Sequence, residues 1–311
     1  MAAAVMTEQR ADTGGGISLA YERIGEPGGE PLLLVAGLGQ QLHSWPTAFC
    51  ERLAARGYEV IRFDNRDAGR STRAAFRPPS VPAMLLGRWP AEQYSLGDLA
   101  ADTAGLLDAL GLDSAHVVGV SMGGMIAQTL AATHPRRVRT LTSMMSATGS
   151  RRAGLPAPST WRLMTARPPR SRAEAVEHAT RMFRHIGSHG FPFDAEHVRE
   201  QAGLAWDRCP SAAGTGRQLG AILRSGNRTA ELRSITAPTL VIHGDRDRMV
   251  HPTGGAATAR AIPGARLETI RGLGHDLPRG VWPRLLDLID HHARRGERPA
   301  TTGSADAPSA S

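Results

Sequence analysis

The sequence contains no lysine. All 37 of its basic residues are arginine, and they leave a formal net charge of +8 over 311 residues. Arginine without lysine, beside abundant alanine and glycine, is the signature of GC-rich codon usage. No compact basic stripe interleaved with aromatics accompanies it, so the charge excess is no argument for a nucleic-acid partner. Cysteine is nearly absent too. Cys50 and Cys209 are the only two, they form no C-x-x-C or metal-ligand spacing, and they read as reduced, incidental thiols. No apolar run approaches the about 18 residues that cross a bilayer. Met1–Ala11 has a short apolar run and no basic n-region, so it does not read as a secretory signal. These absences exclude a disulfide scaffold, a membrane partner and a zinc module, and give the expectation of a cytoplasmic protein. Hydrophobic residues at 41% and charged residues at 21% suit an ordinary globular chain, long enough for one large α/β domain or two small ones.

What is present is organised around Ala115–Ile126. His116, Val117, Val118 and Val120 read as a buried strand, Ser121 stands at a sharp turn, and a helix follows to His134, where Pro135 forbids more. Gly119, Ser121 and Gly123 form G-x-S-x-G, a strand-to-helix elbow that exposes one hydroxyl on a strained turn. Strand and helix cross closely there, so both glycines must lack a Cβ. The first N–H groups of the helix point where negative charge is favoured.

Alternation over Ile17–Ile24 predicts a half-exposed strand, and the apolar run Leu32–Ala36 a central one covered on both faces. Gly37-Leu38-Gly39 is a flexible loop before a helix near residues 44–55, and Tyr58–Phe63 is the next strand. Residues 72–94 are proline-rich and irregular. Ser95 starts a helix with Asp98 as its capping-box partner, and a strand runs from Val138 to Met145. From Leu32 the order is β-α-β-α-β-α-β, which calls for a parallel sheet with right-handed crossovers. Between residues 148 and 235 no strong strand is legible. Helices over 172–186, 195–206 and 214–223 make this a helical cap. The α/β rhythm returns with a strand at 238–243, a helix near 254–261, a strand at Arg266–Ile270 and a helix striped by Trp282, Leu285, Leu286 and Ile289. The expected organisation is thus an α/β core over 1–147 and 236–294, a cap over 148–235 and a disordered tail over 295–311.

A serine hydroxyl needs a base to take its proton and a carboxylate to orient that base. Two loops downstream can supply them, each directly after a strand and so on the carboxyl edge of the sheet with Ser121. In Gly244–Pro252 the acid is Asp245 or Asp247. Asp247 is favoured, because Asp245 is closer to the strand end and suited to tying down loop backbone. In Gly272–Pro278 the base is His275, favoured over His43, His243 and His251 because two glycines free its backbone. Asp276 reads as a loop or supporting residue.

Taken together, Gly119-Val120-Ser121-Met122-Gly123-Gly124, His243-Gly244-Asp245-Arg246-Asp247 and Gly274-His275 resemble the α/β-hydrolase superfamily over roughly residues 15–293. The turn Asp64-Asn65-Arg66-Asp67-Ala68-Gly69-Arg70-Ser71 is similar to the D-x-R-x-x-G-x-S of its small esterases. With Gly274-His275-Asp276-Leu277-Pro278, it looks closest to the aclacinomycin methylesterase-like group, which cleaves a carboxylic methyl ester on a polyketide. The resemblance implies a mostly parallel sheet flanked by helices, with the helical cap inserted after the sixth strand. It also implies a Ser121-Asp247-His275 triad and an oxyanion hole made by the N–H groups of Leu38 and Met122. Two departures stand out: the family's frequent His-Gly before the oxyanion residue is Ala36-Gly37 here, and the lipase H-G-G-G is missing. Serine at 121 excludes the aspartate nucleophile of the dehalogenases.

The reading is therefore a serine hydrolase acting on small-molecule carboxylic esters through an acyl-enzyme, with no cofactor, metal, nucleic acid or membrane required. Rivals are another reaction on the same triad (C–C, thioester or lactone hydrolysis, perhydrolysis) and a non-hydrolytic binding or decarboxylase member of the fold. Two questions stay open about the cap. Its arginines (Arg151, Arg152, Arg162, Arg167, Arg170, Arg172) are either a solvated face, the favoured reading, or an anion site. Trp161, Met164, Met182, Phe183, Phe191 and Phe193 either line a pocket or pack the cap itself.

Overall fold

The computed structural model describes residues 7–209 and 212–296. One eight-stranded sheet organises them. Strands β1 (Gln9–Asp12), β2 (Ser18–Ile24), β3 (Glu30–Val35), helix α1 (Thr47–Ala54), β4 (Tyr58–Phe63), α2 (Val81–Leu85), α3 (Leu96–Ala109), β5 (Ala115–Val120), α4 (Met122–Thr133) and β6 (Val138–Met144) make the first part. Five helices follow: α5 (Pro158–Met164), α6 (Arg172–Ile186), α7 (Ala195–Arg208), α8 (Ala212–Ser225) and α9 (Thr229–Leu232). Strand β7 (Thr239–Gly244), α10 (Thr253–Ala261), β8 (Arg266–Ile270) and α11 (Trp282–Gly296) close the chain. The sheet order is β1-β2-β4-β3-β5-β6-β7-β8. β1, β2 and β4 pair antiparallel, and every other neighbouring pair is parallel.

The burial patterns explain the layers. Every residue of β4, β5 and β7 is buried, as strands covered on both faces must be. Leu33, Ile61, Val117 and Leu141 pack on one face with α3, α4 and Ile262 beyond α10. Leu32, Leu34, Val60, Val118 and Ile242 pack on the other with α1 and α11. The Ser95–Asp98 capping box opens α3, and α4 ends at Thr133, just short of Pro135. Residues 158–232 carry all five inserted helices and, among the described residues, no strand.

Several elements differ from the sequence expectation, among them the short helices α2, α5 and α9, which it does not name. β1 is an edge strand whose only buried residue is Ala11, too little to leave an alternating apolar pattern. It makes the strand before the helical segment the sixth. The expected helix at 44–55 is a 3-10 turn (Leu42–Ser44) and α1, separated because Pro46 caps the second. The tail is expected from residue 295, but Arg295 and Gly296 belong to α11, whose last turn gains from cationic side chains. The remainder of that expected tail, and Met1–Met6, lie outside the described residues.

Candidate active site

The direction of strand addition reverses between β3 and β5, since β4 lies on one side of β3 and β5 on the other. Crevices open at such switch points, beyond the carboxyl ends of the strands. The elbow stands there. Ser121 has φ +57° and ψ −120°, a left-handed backbone rare for a residue with a side chain. Its N–H donates to Met144 O at 2.9 Å, and Ser146 Oγ donates to its carbonyl at 2.9 Å. A Cβ on Gly119 would collide with the Gly123 carbonyl, and one on Gly123 with Val35 O. Gly37 lies against the serine, where a Cβ would stand 3.4 Å from Ser121 Cβ.

The two downstream loops meet each other. His275 Nδ1 and Asp247 Oδ2 are 2.7 Å apart. Asp247 is 3% exposed and its other oxygen accepts from Met249 N and Val250 N at 2.9 and 2.8 Å. Burial works against its charge, but His275 and His243 outweigh burial and hold the carboxyl well below the usual carboxylate range. A carboxylate on Nδ1 leaves Nε2 as the imidazole atom that can exchange a proton with substrate or serine. Among the described residues no hydrogen bond joins Ser121 Oγ to His275. The three elements share the carboxyl edge of adjacent strands β5 to β8, and the hydroxyl is unspent.

The alternatives are placed elsewhere. Asp245 Oδ1 accepts from Gly272 N at 2.6 Å, tying the β7 loop to the β8 loop. His243 is buried, with Nε2 2.8 Å from Val250 O. His251 pairs with Thr253 Oγ1 at 2.9 Å. His43 lies in the 3-10 turn, and burial and Arg208 push it down to about 4. Leu38 lies in the loop after β3, and Met122, next to the serine in sequence, is the first residue of α4. Among the described residues neither N–H has a partner; the first amides of a helix are unpaired by construction.

Several supporting residues left no trace in the sequence. Ser188, just beyond α6, donates N–H and Oγ to Asp276 Oδ1 at 2.9 and 2.5 Å and accepts from Gly274 N at 2.9 Å. His275 N donates to Ile186 O at 2.8 Å. The histidine loop is thus laced to the helical segment: a Cβ on Gly274 would clash with the Gly187 backbone, and one on Gly187 with Phe183 O and the Asp276 carboxyl. The β4 turn does the same on the other side: Asp67 takes a two-pronged bond from Arg217 of α8 at 2.6 and 2.8 Å, and Asp64 pairs with Arg208 of α7 at 2.6 Å. These contacts join residues far apart in sequence, so only a spacing-independent signal, a carboxylate buried beside a strand end, hinted at them.

Arg151, Arg152, Arg162, Arg167, Arg170 and Arg172 are exposed, and Arg172 pairs with Asp207. Of its large apolar residues, Trp161 is 42% exposed, whereas Phe191 packs beside Leu277 on the core.

Comparison with known proteins agrees with this architecture. The alpha/beta hydrolase fold family model matches residues 30–278. Rhodomycin D methylesterase DnrP of Streptomyces peucetius is 34% identical over 297 residues, covering 89% of this chain and 95% of that protein. Among solved structures, the enol-lactonase of Burkholderia xenovorans LB400 aligns with a TM-score of 0.71 at 21% identity, over 91% of this chain and 99% of that one. A thermophilic esterase of Thermogutta terrifontis aligns with a TM-score of 0.69 at 23% identity, over 94% and 100%. A matched model over most of the chain, a relative above 30% identity along nearly its full length and a sheet of this order make the chain a member of the alpha/beta hydrolase family.

Proposed function

We propose that the protein hydrolyses carboxylic esters through a Ser121 acyl-enzyme, with a methyl ester on a polyketide-like small molecule as the substrate class. The observation that carries this is the 2.7 Å Asp247–His275 pair on the same sheet edge as a serine in left-handed backbone. The relative named a methylesterase supports the ester class.

The steps follow from the groups present. Ser121 Oγ adds to the ester carbonyl carbon as His275 Nε2 takes its proton, and Asp247 stabilises the imidazolium. The N–H groups of Leu38 and Met122 receive the oxyanion; one such donor is typically worth about 3–4 kcal/mol in the transition state. Collapse breaks the C–O bond, and His275 returns the proton to the leaving alkoxide, released as an alcohol. Water, deprotonated by His275, then adds to the acyl-enzyme and frees the acid and the serine.

The helices of residues 148–235 act in this reading as the cap over the site, joined to a core of residues 1–147 and 236–294. The test is hydrolysis of a chain-length series of nitrophenyl esters, and of an aromatic polyketide methyl ester, by wild type and Ser121→Ala. Wild-type turnover with a loss on the order of 10⁶ in kcat for the variant is expected. Equal rates for the two proteins would reject the serine.

A further inference from the structure

The loop after β3 spends its amides unevenly. Gly37 N donates to Gln40 Oε1 at 3.3 Å, and Gly39 N donates to Gln218 Oε1 at 2.8 Å. Leu38 N, between them, donates to nothing among the described residues. Gln218 belongs to α8, far along the chain, and its side chain is fully buried at 0% exposure. Its amide is used at both ends: Nε2 donates to Arg66 O, the turn after β4, at 2.8 Å. One glutamine thus spans the loops that leave β3 and β4. The contact is tight, since Gly39 has φ +67° and a Cβ there would stand 2.7 Å from Thr215 Oγ1 of the same helix.

Physical chemistry gives this arrangement a consequence. A donor stabilises an oxyanion only if its direction is set before the charge develops. A glycine-flanked peptide has little direction of its own, because two neighbouring glycines leave φ and ψ free. Acceptors bonded to the Gly37 and Gly39 amides reduce that freedom by pinning the two peptides that flank the one carrying the Leu38 N–H, whose own carbonyl, Gly37 O, accepts from Gln40 N at 3.1 Å. They also occupy the competing N–H groups, so a reacting carbonyl oxygen meets one donor from this loop.

We propose that Gln218 and Gln40 are positioning residues of the oxyanion hole, with Gln218 reaching in from the helical segment to fix the Leu38 amide. The inference rests on the Ser121 mechanism above. It also gives the helical segment a part in the chemistry, beyond covering the substrate.

The experiment compares wild type, Gln218→Met, Gln40→Met and Ser121→Ala with a nitrophenyl ester and an alkyl boronic acid, which mimics the tetrahedral adduct. Gln218→Met keeps the side-chain length and removes the acceptor. The expected result is a kcat about 10- to 100-fold lower with KM within about twofold, and boronate binding weakened by a similar factor. Gln40→Met, at a half-buried position that tolerates change, is expected to show the same split at about 3- to 10-fold, and it decides the matter if Gln218→Met does not fold. A raised KM with kcat and boronate affinity unchanged would reduce Gln218 to packing and overturn the proposal. So would unchanged kinetics in both glutamine variants while Ser121→Ala is inactive. Full activity of Ser121→Ala would instead overturn the mechanism beneath it.

Discussion

The sheet and the inserted helices are held by different physics. Along β3, Leu32, Leu33 and Leu34 are all 0% exposed, and such burial stabilises roughly in proportion to the apolar area removed from water. Helix α6 buries only Ile186 and α7 only Gly203. In α8 the buried set includes Arg217 and Gln218. The helices are instead fastened by directional bonds: Arg217 to Asp67, Arg208 to Asp64, Gln218 to Gly39, Ser188 to Asp276 and Gly274. Nearly all of these land on loops at the carboxyl edge. The difference teaches that the segment is attached at the edge that holds the proposed site, so its seating and the geometry of that site are one variable.

The largest expected effect is on the sheet side and leaves the helices attached. Asp247→Asn should lower kcat about 10⁴-fold by favouring the wrong imidazole tautomer, with a lowered unfolding midpoint in urea as well, since the native state favours the charged carboxylate. A loss below tenfold would remove Asp247 from the triad. Next is the clamp. Asp67 is 0% and Arg217 6% exposed in their side chains, and breaking a buried pair by removing one partner costs about 3–5 kcal/mol. Arg217→Met should therefore lose about that much stability, and limited proteolysis should cut first within residues 148–235. Cleavage distributed evenly over the chain would erase the distinction between the two regions.

Acid should weaken the sheet side. His292 of α11 bonds Leu141 O and Pro238 O, and burial pushes it down to about 4. Its folded pKa lies below the unfolded value of about 6.5, so the unfolded chain binds more protons between those values. Its contribution is fully present above about pH 6.5 and is lost as pH falls through about 4. His43, also pushed down to about 4, adds in the same window. Thermal melts should fall in temperature from pH 6.5 to 4, less steeply in His292→Gln; parallel profiles would contradict the assignment. A smaller effect is expected for Ser188→Ala, which removes the hydroxyl bonds to Asp276 and Gly274 and so loosens the histidine loop: kcat about tenfold lower at similar KM. The smallest belongs to exposed Arg151, Arg152 and Arg162, where glutamine substitutions should shift stability by less than about 0.5 kcal/mol and leave KM alone. A tenfold rise in KM for an anionic ester would make them a ligand site.

The same contrast explains what the sequence shows. Buried strands announce themselves as apolar runs, so Leu32–Ala36 and Ala115–Val120 are legible, and Ser95–Asp98 marks the start of α3 by capping chemistry. Helices α5 and α9 are short, with seven and four residues, and leave too few turns for a period; β1 buries only Ala11. In the candidate site, Ser121, Asp247 and His275 stand in local motifs at strand ends, where a glycine pattern and a neighbouring strand suffice. Gln218 and Ser188 have no such motif. Their partners lie 179 and 86 residues away, and only the folded path brings them together.

The central claim is that Ser121 carries the acyl group. Mass analysis of His275→Gln after exposure to a nitrophenyl ester tests it most directly, because the variant can still be acylated slowly but lacks the base for deacylation. The account expects a stoichiometric mass increase equal to the acyl group, mapped to the peptide containing Ser121 and absent in the Ser121→Ala, His275→Gln double variant. An adduct on another residue, or nitrophenol release with no adduct while wild type turns over, would contradict it.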